Sequence, residues 1–389
     1  MNKSDLFTSL PDSQELVASV ESSISPLGEY TLGEMPNDLA AVRDGGMSYT
    51  ELRTKQEAVL TDVALQIAGN TDPHVATITQ LDLAFMLGGY LPLEAHAYRE
   101  APAQLLGLLD QHADRFGLPA RMDYELIIDI NTEEYRRTGH MRTFTNGNTA
   151  LAERDFYQGH HDSEVYVKAA AYQLRNIVEH PNNGNAGRII EAASSNMRIF
   201  REYMATYMRL TKDDFGTMRP YLASYPDGIR NASGAFMPSV QLTELALHAP
   251  TAEQGMYMDE SMRYFPRWAR DILGDWREQS ARGCNVLDLV TNGHLELDAH
   301  SAHTLKELVD EFLKFRTAHM AATRKQIPEA FEGQVVPVSR RQLAEFGEPD
   351  IMAGGAKGTA GFVIVNVLGG AAHRIVMAQQ QLEATQVET

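Results

Sequence analysis

The amino-acid sequence predicts an all-α fold, and two observations carry this prediction. From Tyr49 onward, apolar residues recur three and four positions apart along most of the chain, which is the spacing of one face of a helix. Strict alternation of apolar and polar residues, the pattern of a half-buried strand, is scarce, and no internal repeat is visible. The apolar fraction of 43% is ordinary for a globular protein.

Residues 1–135 are expected to form a polar lead-in and a smaller, mostly helical part. Residues 1–50 are rich in Ser, Pro, Gly and acidic residues, which is typical of a loosely structured segment. Thr50 is suited to cap the first helix, and the Gly-Leu-Pro sequence at 117–119 is a stop signal before the fourth. The predicted helices of this part are 50–68, 76–99, 101–115 and a segment that ends at about residue 131.

Residues 136–389 are expected to form the larger helical domain. The polar stretch 136–164 predicts a long connection at its start. Thr211 and Asp214 have the spacing of a capping box at the start of a short helix. Segment 328–357 combines Gly, Pro and mixed charge, which predicts a mobile loop. The predicted helices are 165–179, 187–210, 211–220, 238–248, 259–281, 302–327 and 361–383, with a Gly/Asn/Ser loop at 224–236.

The composition argues against several classes of partner and location. The formal net charge of −18 argues against a nucleic-acid partner and against an anionic membrane surface. No apolar run is long enough to span a bilayer, and residues 1–15 lack the apolar core of a signal peptide. Cys284 is the only cysteine, which excludes an intramolecular disulfide framework and a cysteine-rich zinc site. We therefore expect a reduced, cytoplasmic location.

Common catalytic motifs are absent from the sequence. It contains no GxGxxG after a strand, no P-loop lysine motif, no HExxH and no GxSxG nucleophile elbow. His160 and His161 are adjacent, so on a regular element their rings diverge and would not bind one metal ion together. Histidines in a polar connection are most often solvated or capping groups, so this pair alone does not indicate a metal site.

Arg316 and His319 stand out in the segment KFRTAHMAATRKQ. They are three residues apart and share a helix face, and the apolar stripe of the surrounding helix passes through that face. A lone histidine on an apolar face is most often a core residue bonded to a carbonyl, but a neutral imidazole there can also ligate a haem iron. A buried arginine needs an anion, either an internal Asp or Glu or a haem propionate. Spacing alone leaves these alternatives open.

Two further segments carry candidate binding groups. Arg219 lies on the short predicted helix that also contains Phe215, and its guanidinium either forms a surface salt bridge or binds a substrate carboxylate with two hydrogen bonds. The glycines of AGGAKGTAGF can bring backbone N–H groups close to a ligand, and Thr359 could add a hydroxyl for an anion. Gly-rich helix starts are also common without any ligand.

Taken in order, these segments resemble the indoleamine 2,3-dioxygenase superfamily of histidine-ligated haem enzymes and its pyrrolnitrin-pathway branch, the monodechloroaminopyrrolnitrin synthases. FRTAH is similar to the family's Arg-x-x-His stretch, whose histidine is the proximal haem ligand. The resemblance implies that His319 binds the iron of haem b and that Arg316 contacts a propionate. It also implies the helical haem domain of that superfamily, and it covers roughly residues 115–375.

The same resemblance implies a substrate site. FGTMRPYL is similar to the segment whose arginine binds the substrate carboxylate, which implies a clamp at Arg219 and a pocket wall at Phe215. FGLPARMDY implies that Tyr124 lines the pocket for the aromatic ring. NASGAF is similar to the loop over the distal haem face, and AKGTAG to the loop that contacts the amino-acid head group. The residues implied in these two loops are Ser233, Gly234 and Thr359.

The resemblance implies a haem b-dependent oxygenase that acts on tryptophan or a related aromatic amino acid with O2, in secondary metabolism. At the distal position this chain offers His160, His161 and Ser163 as candidate catalytic residues. A distal histidine could donate a proton and favour O–O cleavage, as in related haem-dependent aromatic hydroxylases. The alternatives are a hydroxylating or ring-rearranging enzyme for the same substrates, a haem-binding protein or sensor without turnover, and a helical scaffold without a cofactor.

Overall fold

The protein is all-α in the part of the chain that the computed structural model describes, which confirms the predicted fold class. The described residues form helices and one isolated bridge between Lys357 and Val363, and they contain no strand. They are residues 25–92, 100–182, 184–207, 210–226, 229–232, 236–337, 339–352, 357 and 363–387.

The chain becomes helical earlier than its polar composition indicated. A π-helical turn, Tyr30–Glu34, leads directly into helix α1, Met35–Arg43. The expectation of a loose lead-in is therefore wrong for these residues. Leu27 and Leu39 are buried in the main core, and this tertiary packing stabilises a segment whose composition alone favours a loop.

The next helices follow the predicted order with shifted ends. Helix α2 begins at a capping box of Ser48 and Glu51 rather than at Thr50. Asp72 caps α3, and Gly117, in the left-handed region at φ 64°, ends α4. The bounds are Tyr49–Gly69 (α2), Pro73–Gly88 (α3), Ala103–Phe116 (α4), a π-helical segment at Glu125–Ile130, and Asn131–Thr138 (α5).

The largest correction concerns the predicted connection 136–164. Much of it belongs to α6, a 33-residue helix from Gly147 to Glu179. The helical period was concealed because the buried face of α6 is partly polar and includes Glu153, His160 and Glu164. Each of these side chains has a hydrogen-bond partner inside the fold, which compensates the cost of burying it.

The rest of the chain contains one interrupted helix and two helices that the sequence pattern did not indicate. The predicted helix 259–281 is interrupted ahead of α11 by Pro266, which lacks a backbone N–H group. Helix α14 lies inside the predicted loop 328–357, and α12 was not predicted. The bounds are Ala186–Tyr207 (α7), Lys212–Met218 (α8), Pro238–Leu247 (α9), Ala252–Ser261 (α10), Arg267–Ala281 (α11), Val286–Thr291 (α12), Ala299–Gln326 (α13), Arg340–Phe346 (α14) and Ile364–Val387 (α15), with 3-10 turns at Arg219–Leu222, Met262–Tyr264 and Pro328–Phe331.

Long helices form the centre of the larger part. Helix α7 packs against α6 and α13, α9 packs against α6, and α15 packs against α13. One hydrophobic core continues from Leu27 to Leu382, so the N-terminal helices and the larger part share buried residues. A second cluster joins α13 to α14 and α15. These helices contribute most of the walls of the candidate site.

Two expectations from composition can be compared with the structure. None of the described helices is long and apolar enough to cross a membrane. Cys284 is exposed and carries a free thiol, as expected for the only cysteine of the chain.

Candidate functional site

A cavity of about 250 Å³ lies among these helices. Its wall is mostly aromatic and aliphatic and includes Phe156, Tyr157 and Phe315. Predicted site residues from four separate segments of the chain line this one cavity. They are Tyr124, His160, Phe215, Arg219, Arg316 and His319.

The other predicted site residues are not part of the described cavity wall. His161 contacts Glu133, with 3.0 Å between Nε2 and Oε1, and it also contacts Asp162. The buried hydroxyl of Ser163 donates to the carbonyl oxygen of His160 at 3.0 Å. Ser233, Gly234 and Thr359 lie outside the described residues.

His319 lies on the face of α13 that borders the cavity. Its Nδ1 atom is buried and has no hydrogen-bond partner among the described residues, unlike a core histidine bonded to a carbonyl. Burial, with Arg316 and His160 nearby, lowers the pKa of the ring to about 4. The imidazole is therefore neutral near pH 7, which is the form that ligates a metal.

His160 lines the same cavity from α6. Its Nδ1 atom lies 2.8 Å from the carbonyl oxygen of Phe156, and since a carbonyl can only accept, Nδ1 carries the proton of that bond. Burial lowers the pKa of the ring, and the bond to Phe156 opposes this in part. In the neutral ring Nε2 then carries a lone pair. His160 is thus suited to accept a proton or to ligate a metal rather than to donate a proton.

The guanidinium of Arg316 is buried because it belongs to an ion network that the fold completes. It donates to Glu244 of α9, whose side chain is 0% exposed. Arg374 of α15 donates to the other oxygen of Glu244 at 3.1 Å and to Glu348 at 2.8 Å. Gln254 also donates to Glu244, at 2.8 Å. An internal acid is therefore the partner of Arg316, which was one of the two possibilities that the sequence left open.

This network holds two guanidinium groups at the cavity wall. Burial would raise the pKa of Glu244, but the charges of Arg316 and Arg374 outweigh burial and lower that pKa to about 2. Both arginines line the cavity, and the Nε atom of each is buried without an acceptor in the described part of the chain. The Nε donors are therefore shielded from the cavity, and the guanidinium groups of both arginines form part of its wall.

Arg219 follows α8 and also lines the cavity. The hydroxyl of Thr149 on α6 donates to Asp214 at 3.3 Å, which connects α8 to α6. Phe215 and Phe156 contact each other edge-on, with ring centroids 6.4 Å apart. The Arg219 guanidinium makes no ion pair or hydrogen bond with any residue that the structure describes, so it is available to an anion in the cavity.

Tyr124 contributes its ring to the cavity wall and is only 1% exposed. Its hydroxyl donates to Oε2 of Glu164 at 2.9 Å. The hydroxyl of Ser239 on α9 donates to the other oxygen of Glu164 at 2.7 Å. The buried carboxyl of Glu164, which lies behind the cavity wall, thus fixes the orientation of the Tyr124 ring.

Several residues of the site were not found from the sequence. Glu244 is the single charged residue of α9, and Arg374 is the single charged residue of the apolar stretch 364–382 of α15, which is the same kind of signal that singled out Arg316. That signal was available, and it indicates buried charges that need partners. Glu164 offered no such signal, because its segment was expected to be a loop.

The arrangement offers two neutral imidazoles on different helices, an aromatic wall and one guanidinium, that of Arg219, without an ion pair to any described residue. Within the described ranges, no three His, Cys, Asp or Glu side chains converge as metal ligands. His160 and His319 are the cavity residues whose neutral imidazoles could hold a metal-containing cofactor, and Arg219 is the cation that could bind an organic anion. A scan against protein-family models and a search of curated protein sequences both find no match for the chain.

Proposed function

We propose that the protein is a haem b-dependent oxygenase that acts on tryptophan or a related aromatic amino acid with O2. The observation that carries this proposal is the convergence, in one cavity, of a neutral His319, aromatic walls and an Arg219 that has no ion pair with a described residue. The resemblance of FRTAH and of the RPY segment to the indoleamine 2,3-dioxygenase superfamily supports the same function.

The residues present fit haem b by their chemistry. Because Nδ1 of His319 is shielded, Nε2 is the atom that would ligate the iron. Arg316 and Arg374 both line the cavity, so their guanidinium groups would be the cations that attract the propionates. When bound, haem supplies the redox chemistry with O2.

The remaining residues bind and orient the amino acid. Two parallel N–H groups of Arg219 match the two oxygens of a carboxylate, which fixes both position and direction. Phe215 and Tyr124 enclose the aromatic ring and exclude water from it. Holding the substrate in the reactive orientation can supply a large part of the rate enhancement, even without a strong protein base.

Haem reconstitution tests the proposal directly. The purified protein is titrated with haem b, and we expect a Soret band that saturates at equimolar haem. The loaded protein is then incubated with tryptophan, a reductant and O2, and the product is weighed by mass spectrometry. Two added oxygen atoms indicate dioxygenation, one indicates hydroxylation, and an unchanged mass with a new structure indicates rearrangement. A protein that develops no Soret band at any haem concentration contradicts the proposal.

A second candidate function is haem binding or sensing without turnover, and His160 favours it. His160 and His319 line the same cavity from different helices, so both would be able to hold the metal of a bound haem. Carbon monoxide added to the reduced protein separates the two functions. If His319 alone held the haem, the gas would bind to the wild-type protein and shift the Soret band; if His160 also held it, the shift would appear only in His160→Ala.

The substitution Arg219→Ala is expected to weaken tryptophan binding by roughly 10- to 100-fold, because a charge-assisted hydrogen bond contributes about 1.5–3 kcal/mol. Haem affinity should not change, because Arg316 and Arg374, rather than Arg219, would bind the haem propionates. The change in the Soret band on addition of tryptophan measures the dissociation constant. Arg341→Ala, which removes an exposed arginine outside the cavity, is the matched control. Equal tryptophan affinity in Arg219→Ala and wild type would refute this role.

A further inference from the structure

We propose that Glu348 occupies a carboxylate-binding position at Arg374 in the ligand-free protein, and that a carboxylate of the bound ligand displaces it. This inference rests on the proposed function for the identity of the ligand, because it assigns the position to a haem propionate. The position itself is a property of the folded chain and can be tested without haem.

The proposed position lies where two segments of the cavity wall meet. Arg374 lines the cavity from α15, and Glu348 lines it from the segment that follows α14. The Nη1 atom of Arg374 donates to Oε1 of Glu348 at 2.8 Å. The two side chains are only 10% and 9% exposed, so salt in the solvent screens their attraction weakly. Arg374 therefore already holds one carboxylate at the cavity wall.

The side chain of Glu348 has the same chemical structure as a haem propionate. Each consists of two methylene groups that end in a carboxylate. A guanidinium group binds a carboxylate through charge-assisted hydrogen bonds, whichever molecule carries that carboxylate. The chain itself therefore supplies a competitor for the donors of Arg374.

The charges at this part of the wall favour the release of one internal carboxylate when the ligand binds. Arg316 and Arg374 both contact Glu244, and Arg374 also contacts Glu348, so two cations are balanced by two anions. Two propionates added to this balanced group would leave an excess of negative charge in a poorly solvated place, which is unfavourable. Displacement of one internal carboxylate toward water lowers that excess and frees donors for the ligand.

Glu348, rather than Glu244, is the carboxylate that the ligand displaces. The side chain of Glu244 is 0% exposed, and it accepts hydrogen bonds from two arginines and from Gln254. Arg374 is the one hydrogen-bond donor to the carboxylate of Glu348 among the described residues. Removal of Glu348 from the network thus breaks one ion pair, whereas removal of Glu244 would break contacts with three side chains.

The backbone around Glu348 does not have to move for this exchange. The side-chain amide of Asn366 donates to the carbonyl oxygen of Asp350 at 2.6 Å, and the backbone N–H group of Val363 donates to that of Ile351 at 2.8 Å. These bonds hold the segment at the start of α15 independently of Glu348. Asp350 is exposed, so the segment borders solvent. A rotation of the Glu348 side chain is enough to carry its carboxylate from the guanidinium toward water.

Chemical rescue of the haem-free protein tests the position. Glu348→Ala should lower the midpoint of thermal unfolding, because Arg374 loses a partner. Sodium propionate should raise that midpoint relative to sodium chloride at the same ionic strength, because a ligand that binds only the folded state stabilises it. Wild type and Glu345→Ala, which removes a carboxylate of α14 that is 63% exposed, should not respond. An equal response of Glu348→Ala and wild type to propionate would overturn the proposal.

Haem titration tests the exchange. Glu348→Gln keeps a hydrogen-bond acceptor for Arg374, so it should fold even if Glu348→Ala does not. Because the competing charge is lost, the affinity for haem b should rise by roughly 10-fold, the order of effect of one charge-assisted hydrogen bond. Haem b dimethyl ester, whose propionates carry no charge, should bind wild type and Glu348→Gln equally. Equal affinity of these two proteins for haem b, or an equal gain for the ester, would overturn the exchange.

The two tests separate this inference from the proposed function. If haem b binds neither wild type nor the Glu348 variants, the proposed function is refuted, and the propionate rescue still decides whether the position at Arg374 accepts a carboxylate. If haem b binds but neither propionate nor Glu348→Gln has the expected effect, the proposed function stands and this inference is wrong.

Discussion

Replacing His319 with alanine is expected to lower the affinity for haem by more than about 100-fold. Removing only a hydrogen-bond partner of a metal ligand already lowers metal affinity by about 10- to 100-fold, so removing the ligand itself should have a larger effect. His319 is the residue of α13 that places a neutral ring on the cavity wall. Haem titration followed by the Soret band measures the effect. Alanine removes a side chain from a cavity wall, so the fold should persist.

Two controls separate loss of the ligand from loss of the fold. Imidazole added to His319→Ala should enter the space of the missing ring and restore the Soret band. His161→Ala changes a histidine that contacts Glu133 instead of lining the cavity, and it should bind haem as wild type does. A wild-type Soret band in His319→Ala without imidazole would show that another residue ligates the iron, which would refute the assignment.

Replacing Glu244 with glutamine is expected to destabilise the fold by about 3–5 kcal/mol, the usual cost of leaving buried charges without their partner. The neutral amide leaves Arg316 and Arg374 at the cavity wall without the carboxylate that both contact. Urea unfolding measures the free energy of unfolding. Asp259→Asn breaks an exposed ion pair with Arg277 and should cost less than about 1 kcal/mol. A cost for Glu244→Gln as small as that of this control would contradict the prediction.

The pH dependence of stability provides a second measurement on Glu244. Its pKa is lowered to about 2 in the folded protein, whereas the unfolded chain has the ordinary value of about 4.5. The stabilisation from this group is therefore complete above pH 4.5 and is lost as the pH falls from 4.5 toward 2. It amounts to roughly 3 kcal/mol at neutral pH. The stability difference between wild type and Glu244→Gln should shrink over this interval, and a difference independent of pH would contradict the assignment.

Local sequence patterns predicted most of the helices. The spacing of apolar residues predicted α7 and α13 with ends close to those observed, because each buries one apolar stripe. The ends of α9 were also close to those predicted, although all ten of its residues are buried. The same rule failed for α6, because Glu153, His160 and Glu164 occupy its buried face. It also failed for α1, which is stabilised by packing rather than by its own composition.

The candidate site was predicted in part. Arg316 and His319 were identifiable because polar residues on an apolar stripe are conspicuous in a sequence, and the structure places both on the cavity wall. The partner of Arg316 was not identifiable, since Glu244 lies 72 residues away. His161 and Ser163 could not be separated from His160, because their positions relative to the cavity depend on how α6 is rotated against its neighbours.

By itself, the sequence determined the all-α class and selected His319, Arg316 and Arg219 as chemically unusual residues. Only the tertiary structure decided that Arg316 pairs with Glu244, that His160 carries its proton on Nδ1, and that Glu164 stands behind Tyr124. The physical reason is that a helical period depends on neighbours three and four residues apart. The charge state and hydrogen bonds of a buried side chain depend instead on groups that helix packing brings together from distant parts of the chain.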